Sequence, residues 1–183
     1  SISYSLGFKS LEDANILKNY LNDFAINFES DDYLKDQTNT PVNDPYLVDN
    51  SVSEHFYEKI SELLQNKDQF NMWLTSFLST PRAEIEPGVT YIEEEVKDLS
   101  KDNRVQKDIF TKISAKQKDN EFTVAINKQL YTLSLDTYLL IKQWFSGSPQ
   151  EEIKINYDEL DNESWPLVLD LFKNGTLFFE ERD

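Results

Sequence analysis

The feature that most limits the fold is a recurrence of large apolar residues, three and four apart, through the first 80 positions. Leu11, Ala14, Leu17, Leu21, Phe24, Ala25 and Phe28 follow this spacing and predict an amphipathic helix of about five turns. Ser10 and Asp13 stand where a capping box would open it. A second helix is expected from about Ser53, with Phe56, Tyr57, Ile60, Leu63 and Leu64 on one face. A third is expected after an N-cap at Asp68, with Phe70, Trp73, Leu74, Phe77 and Leu78, and Pro81 ends it. Three helices with two aromatic stripes carry more apolar face than they can bury among themselves. The set therefore reads as an interface-forming unit; periodicity alone fits a closed helical core equally well. Between the first two helices, residues 29–52 hold two prolines and break every periodicity. Connections of that length are usually functional or pinned by a partner.

The second half of the chain reads differently. Pro87–Gly88 marks a boundary, and Thr90 with Glu93 forms another capping-box pattern. A short acidic helix with Tyr91, Ile92, Val96 and Leu99 is expected there. Val105, Ile109, Phe110 and Ile113 can lie on a helix over 105–113. EFTVAIN and QLYTLS alternate about Asn127–Lys128, which predicts a hairpin. Asp136 is the expected cap of a helix that ends at Gly147–Ser148–Pro149. A short helical turn is expected from Asn156 or Asp158. A helix over 165–173 follows, with Pro166 in its first turn, and Asn174–Gly175 turns into a last strand, TLFFE. Helices, a small hairpin and a terminal strand describe a winged-helix-like α+β module. At the other end, SISYSLGF alternates as a strand does, yet no hairpin partner and no initiator Met precede it. The expectation is a leftover strand of something longer.

Composition narrows the chemistry. The 183 residues include no cysteine and one histidine, His55. Thiol catalysis, Cys-ligated metal and any site needing two His cannot be built from this chain alone. No G-x-S-x-G elbow is present, and His55 falls in a helical pattern, so it reads as a helix-face residue. Glu93–Glu94–Glu95 and Glu151–Glu152 are runs of adjacent acids; neighbours in a helix point apart, so a solvated face is expected rather than acid–base chemistry. The expected catalytic and metal-ligating residues of this chain are therefore none. No apolar run reaches the ~18 residues of a membrane span, and the N-terminus lacks signal-peptide features, so a cytoplasmic location is expected.

The net charge is −16, unevenly spread. Residues 1–100 carry 19 acids and 7 bases, and residues 119–183 carry 13 acids and 5 bases. Only residues 101–118 are basic, with Lys101, Arg104, Lys107, Lys112, Lys116 and Lys118 against Asp102 and Asp108. A body this acidic opposes nucleic acid and anionic lipid and favours a basic protein partner. A DNA-reading winged helix needs a basic helix in the major groove. The helices over 136–145 and 165–173 carry one lysine each, beside Asp136 and Asp170. Neither DNA nor membrane is expected as a partner.

An ordered set of segments resembles one family. Tyr4-Ser5-Leu6-Gly7-Phe8-Lys9 is similar to the "YS-[VIL]-GF-[RK]" strand that closes the barrel of bacterial cupin-like JmjC ribosomal oxygenases. Gln69-Phe70-Asn71-Met72-Trp73-Leu74-Thr75-Ser76-Phe77-Leu78-Ser79 resembles the family's "HFKQWFGEFIS" helix, and Arg82 with Glu84 resembles the "SRHELD" after it. Leu171-Phe172-Lys173-Asn174-Gly175-Thr176-Leu177-Phe178-Phe179-Glu180 resembles "LVNSGYWFFE". Order and approximate spacing hold over essentially the whole chain.

The resemblance implies a mainly α chain with a small α+β module. It would comprise a last strand of a missing barrel (1–9), a helical dimerisation domain (10–86) and a winged-helix-like domain (87–183). It implies part of an iron(II)- and 2-oxoglutarate-dependent dioxygenase that hydroxylates an arginine of a ribosomal protein. The family's H-x-D…H iron triad lies upstream of the first strand, so no metal ligand and no cofactor of its own is expected in this chain. By position, Ser3 and Ser5 would face the 2-oxoglutarate pocket. The implied homodimer would rest on Leu17, Leu21, Phe24, Phe56, Ile60, Phe70, Trp73 and Phe77, with a basic ribosomal protein as the enzyme's substrate. The alternative is a stand-alone acidic interaction module, an adaptor or regulator that binds a basic protein.

Overall fold

The computed structural model describes residues 12–27, 50–148, 151–155, 160 and 164–181. The chain divides into two compact units, residues 1–70 and 71–183, and each is described by itself. Ser3, Ser5, Ser10, the 29–49 part of the long connection and the 156–159 turn lie outside the described residues.

The first unit shows α1 (Asp13–Asn27), α2 (Asn50–Gln65) and the start of α3 (Lys67–Leu78). Tyr20 of α1 and Leu63 of α2 are buried, and the Tyr20 ring meets Phe70 edge-on at 5.1 Å. The cap of α3 is Asn66 rather than Asp68. Asn66 Oδ1 accepts from the Gln69 backbone N–H at 3.0 Å, and its Nδ2 donates to Gln69 Oε1. Asp68 falls inside the first turn, where its charge suits the positive end of the helix dipole.

In the second unit, α3 closes on 3₁₀-type bonds from Ser79 N–H to Ser76 O and from Thr80 N–H to Phe77 O, just before Pro81. α4 (Glu93–Asp102) starts one residue after Ile92, whose N–H donates to Glu95 Oε2 at 3.0 Å. Thr90 stands too early to cap it. The expected helix over 105–113 is absent; β1 (Asn103–Lys107) and β2 (Ile113–Lys118) occupy that stretch. Asp108 separates them. Its Oδ1 accepts from Phe110 N–H at 2.7 Å and its carbonyl from Thr111 N–H, a local turn that competes with helix. Val105 and Lys107 then point inward together, as the period of a strand requires.

β2, β3 (Glu121–Ile126) and β4 (Gln129–Ser134) form an antiparallel meander, and β1 pairs antiparallel with β5 (Leu177–Glu181), Val105 opposite Phe179. The expected hairpin is present: Ile126 pairs with Gln129 around a two-residue turn. Asn127 has φ 50° and Lys128 φ 75°, the left-handed pair that such turns need. Lysine is costly there. Lys128→Gly is therefore expected to stabilise the protein by about 1 kcal/mol, visible as a raised urea midpoint at unchanged slope.

α5 (Leu135–Ser146) is capped by Ser134, whose Oγ accepts from Thr137 N–H; Asp136 sits in the first turn instead. α6 (Ser164–Lys173) leads through a left-handed Gly175 into β5. The core lies between the inner face of the meander, both helices and β1–β5, and includes Val96, Val124, Ile126, Ile141, Val168, Leu171, Phe172 and Leu177. Phe172 stacks on Phe179 at 4.8 Å, and Tyr91 meets both rings edge-on.

Two glycines draw the incoming chain onto this core. Gly88 N–H donates to Lys173 O at 3.0 Å. A Cβ on Gly88 would run into the Phe172 carbonyl, and one on Gly175 into the Glu86 carbonyl. Thr176, fully buried beside them, accepts at its carbonyl from Asp108 N–H and at Oγ1 from Asn127 Nδ2.

Candidate interaction surface

The helical unit exposes a stripe of apolar side chains. On α2, Phe56, Ile60 and Leu64 recur every fourth residue, so they line one face over two turns, with Tyr57 beside them. Each is more than half exposed. On α1, Leu17 and Leu21 are also exposed, while Tyr20, three residues after Leu17, is buried. Among the described residues of this unit, the exposed large apolar side chains outnumber the buried ones, Tyr20 and Leu63. Large apolar side chains left exposed along one helix face mark an interaction site more often than scattered ones do.

The eight residues expected at a dimer interface separate into two groups. Leu17, Leu21, Phe56 and Ile60 are exposed. Phe24, Phe70, Trp73 and Phe77 are half-buried. Phe70 is used internally against Tyr20, and Trp73 stacks on Phe77 at 4.9 Å within α3. Leu64 and Tyr57 belong to the exposed face although they were not among the eight; the four-residue spacing from Phe56 and Ile60 was the signal for Leu64. Ser3 and Ser5 lie outside the described residues.

The end of α3 is fastened to the meander within the second unit. Ser76 Oγ donates to Lys128 O at 2.8 Å, and Ser79 Oγ accepts from Lys128 N–H at 2.8 Å. Ser114 Oγ donates to the Thr75 carbonyl. The hairpin tip thus receives α3 on one side, and on the other Asn127 Oδ1 accepts from Lys112 N–H.

The basic stretch does not gather into an anion site. Lys101 pairs with Asp98 at 2.7 Å. Arg104 lies opposite Glu180 in the β1–β5 register. Lys107 is buried and donates to the carbonyls of Trp144 (3.2 Å) and Gly147 (2.7 Å), so it closes the C-terminal end of α5. Burial holds its ammonium below the usual lysine range, partly offset by Glu151. Lys116 and Lys118 stand on the edge strand β2, where charge discourages pairing with another chain.

A second polar cluster joins β4 to α6. Asp170 accepts from Gln129 Nε2 at 2.7 Å and from Tyr131 Oη at 2.6 Å. Burial, then the hydrogen bond to Asp170, raises the Tyr131 phenol far above its ordinary range, so it stays a donor. This is a latch between elements and not a reactive pair.

Two clefts flank the 151–155 segment, of about 360 Å³ and 280 Å³, sharing Glu152, Ile153 and Lys154. Among the described residues, no group of three or more His, Cys, Asp or Glu converges as a metal ligand set. An iron site does not fit these residues. No described helix is long and apolar enough to cross a membrane.

No family model and no curated protein matches the sequence. Solved structures do match in fold. The X-ray structure of E. coli ycfD superposes with a TM-score of 0.59 at 16% identity, covering 94% of this chain and 46% of that one. YcfD from Escherichia coli, described as a ribosomal oxygenase, matches in its complex with cobalt and succinic acid with a TM-score of 0.59 at 17% identity, over 94% and 47% of the two chains. Its complex with cobalt and 2-oxoglutarate gives 0.58 at 16% identity, over the same shares. This chain therefore has the fold of part of YcfD and spans less than half of its length.

Proposed function

We propose that this chain is the dimerisation and winged-helix-like portion of an iron(II)- and 2-oxoglutarate-dependent ribosomal protein arginine hydroxylase. The observation that carries the reading is the shared fold with E. coli YcfD over 94% of the chain. Residues 10–86 supply the dimer contact, residues 87–183 form the winged-helix-like domain, and substrate docking falls to the portion as a whole. The exposed stripe of Phe56, Ile60 and Leu64 with Leu17 and Leu21 supports self-association. A net charge of −16 complements a basic ribosomal protein, as long-range steering requires. Iron and 2-oxoglutarate are assigned to the barrel of the parent enzyme, a reading supported by the cobalt and 2-oxoglutarate of the E. coli YcfD complexes. Ser3 and Ser5 border the co-substrate in this account, and the working location is the cytoplasm.

The architectural part is tested on residues 1–183 alone. Light scattering at tens of micromolar is expected to give the mass of a dimer, unchanged on dilution to about one micromolar, because an apolar contact of this kind is long-lived. A monomer throughout would contradict the dimer. A monomer that captured isolated basic ribosomal proteins would point to the acidic adaptor module.

A further inference from the structure

We draw no further inference here: the strongest candidate, the cleft of about 360 Å³ at the C-terminal end of α5, is an acidic cluster in which Glu151 already accepts from the Ser148 backbone N–H, and the orphaned donor nearby, Trp144 Nε1, is sealed from solvent, so nothing in the structure indicates a ligand.

Discussion

Replacing Phe56 and Ile60 together with aspartate is expected to weaken self-association by about a thousandfold or more while leaving the helices folded. Both side chains are more than half exposed in the single chain, so the monomer loses little packing. Aspartate ranks close to phenylalanine and isoleucine in helix propensity, so the two changes cost the helix only about 0.5 kcal/mol. In a two-fold dimer each substitution occurs twice. Four large apolar side chains then leave the interface, at about 1.5 kcal/mol or more apiece, before the cost of burying charge is counted. That sum corresponds to at least three decades in dissociation constant. Sedimentation velocity should show a monomer at concentrations where the parent chain is dimeric, with an unchanged far-ultraviolet circular dichroism spectrum. Phe70→Ala provides the contrast. Phe70 meets Tyr20 internally, so its loss should lower thermal stability. A double variant that stays dimeric would place the interface elsewhere.

Gly175→Ala is expected to destabilise the second unit by about 3 kcal/mol or more. Gly175 has φ +74°, which costs an L side chain about 1–2 kcal/mol. The added Cβ also meets the Glu86 carbonyl, and Gly88 N lies 3.3 Å from it. Backbone cannot swing aside as a flexible side chain can, so the 86–88 segment must lift from the turn. For a unit of this size the melting temperature should fall by roughly 12 °C or more. Gly175→Asn separates the two causes. Asparagine tolerates the left-handed region but carries the same Cβ. If close approach dominates, Asn fails as Ala does. A stable Asn variant would show that backbone conformation alone matters, and a stable Ala variant would contradict the close packing of 86–88 on the turn.

The local signals were legible where local physics decides. Spacing of three and four located the helices, and alternation around Asn127–Lys128 located the hairpin. Asn174–Gly175 marked the last turn. Three caps lie two residues from the expected position, Asn66 for Asp68, Ile92 for Thr90 and Ser134 for Asp136, because helix ends are set by a few local hydrogen bonds that several nearby residues can supply. The 105–113 stretch misled because Val105, Ile109 and Ile113 fit a helix face as well as two strands broken at Asp108. What decides it is the pairing of Val105 with Phe179, 74 positions away, which no local window contains. The same holds for Lys107. By sequence it is one of the six bases of residues 101–118, yet it closes α5 some 40 positions later.

The candidate surface was half legible. Periodicity marks an apolar face but does not say which side of it turns inward. Tyr20 and Leu63 take the interior, which leaves Leu17, Leu21, Phe56 and Ile60 outside and draws Phe70 in. The resemblance names Phe24, Phe70, Trp73 and Phe77 for the interface as well, and in the single chain all four are half-buried.

The most direct measurement is made on the full-length gene product that carries this sequence. It is incubated with iron(II), 2-oxoglutarate and isolated ribosomal proteins, and succinate release and ribosomal protein mass are followed together. Succinate is expected to form with the gain of one oxygen atom on a single arginine of one basic ribosomal protein. Turnover that ignores ribosomal proteins, or no 2-oxoglutarate-dependent change at all, would contradict it.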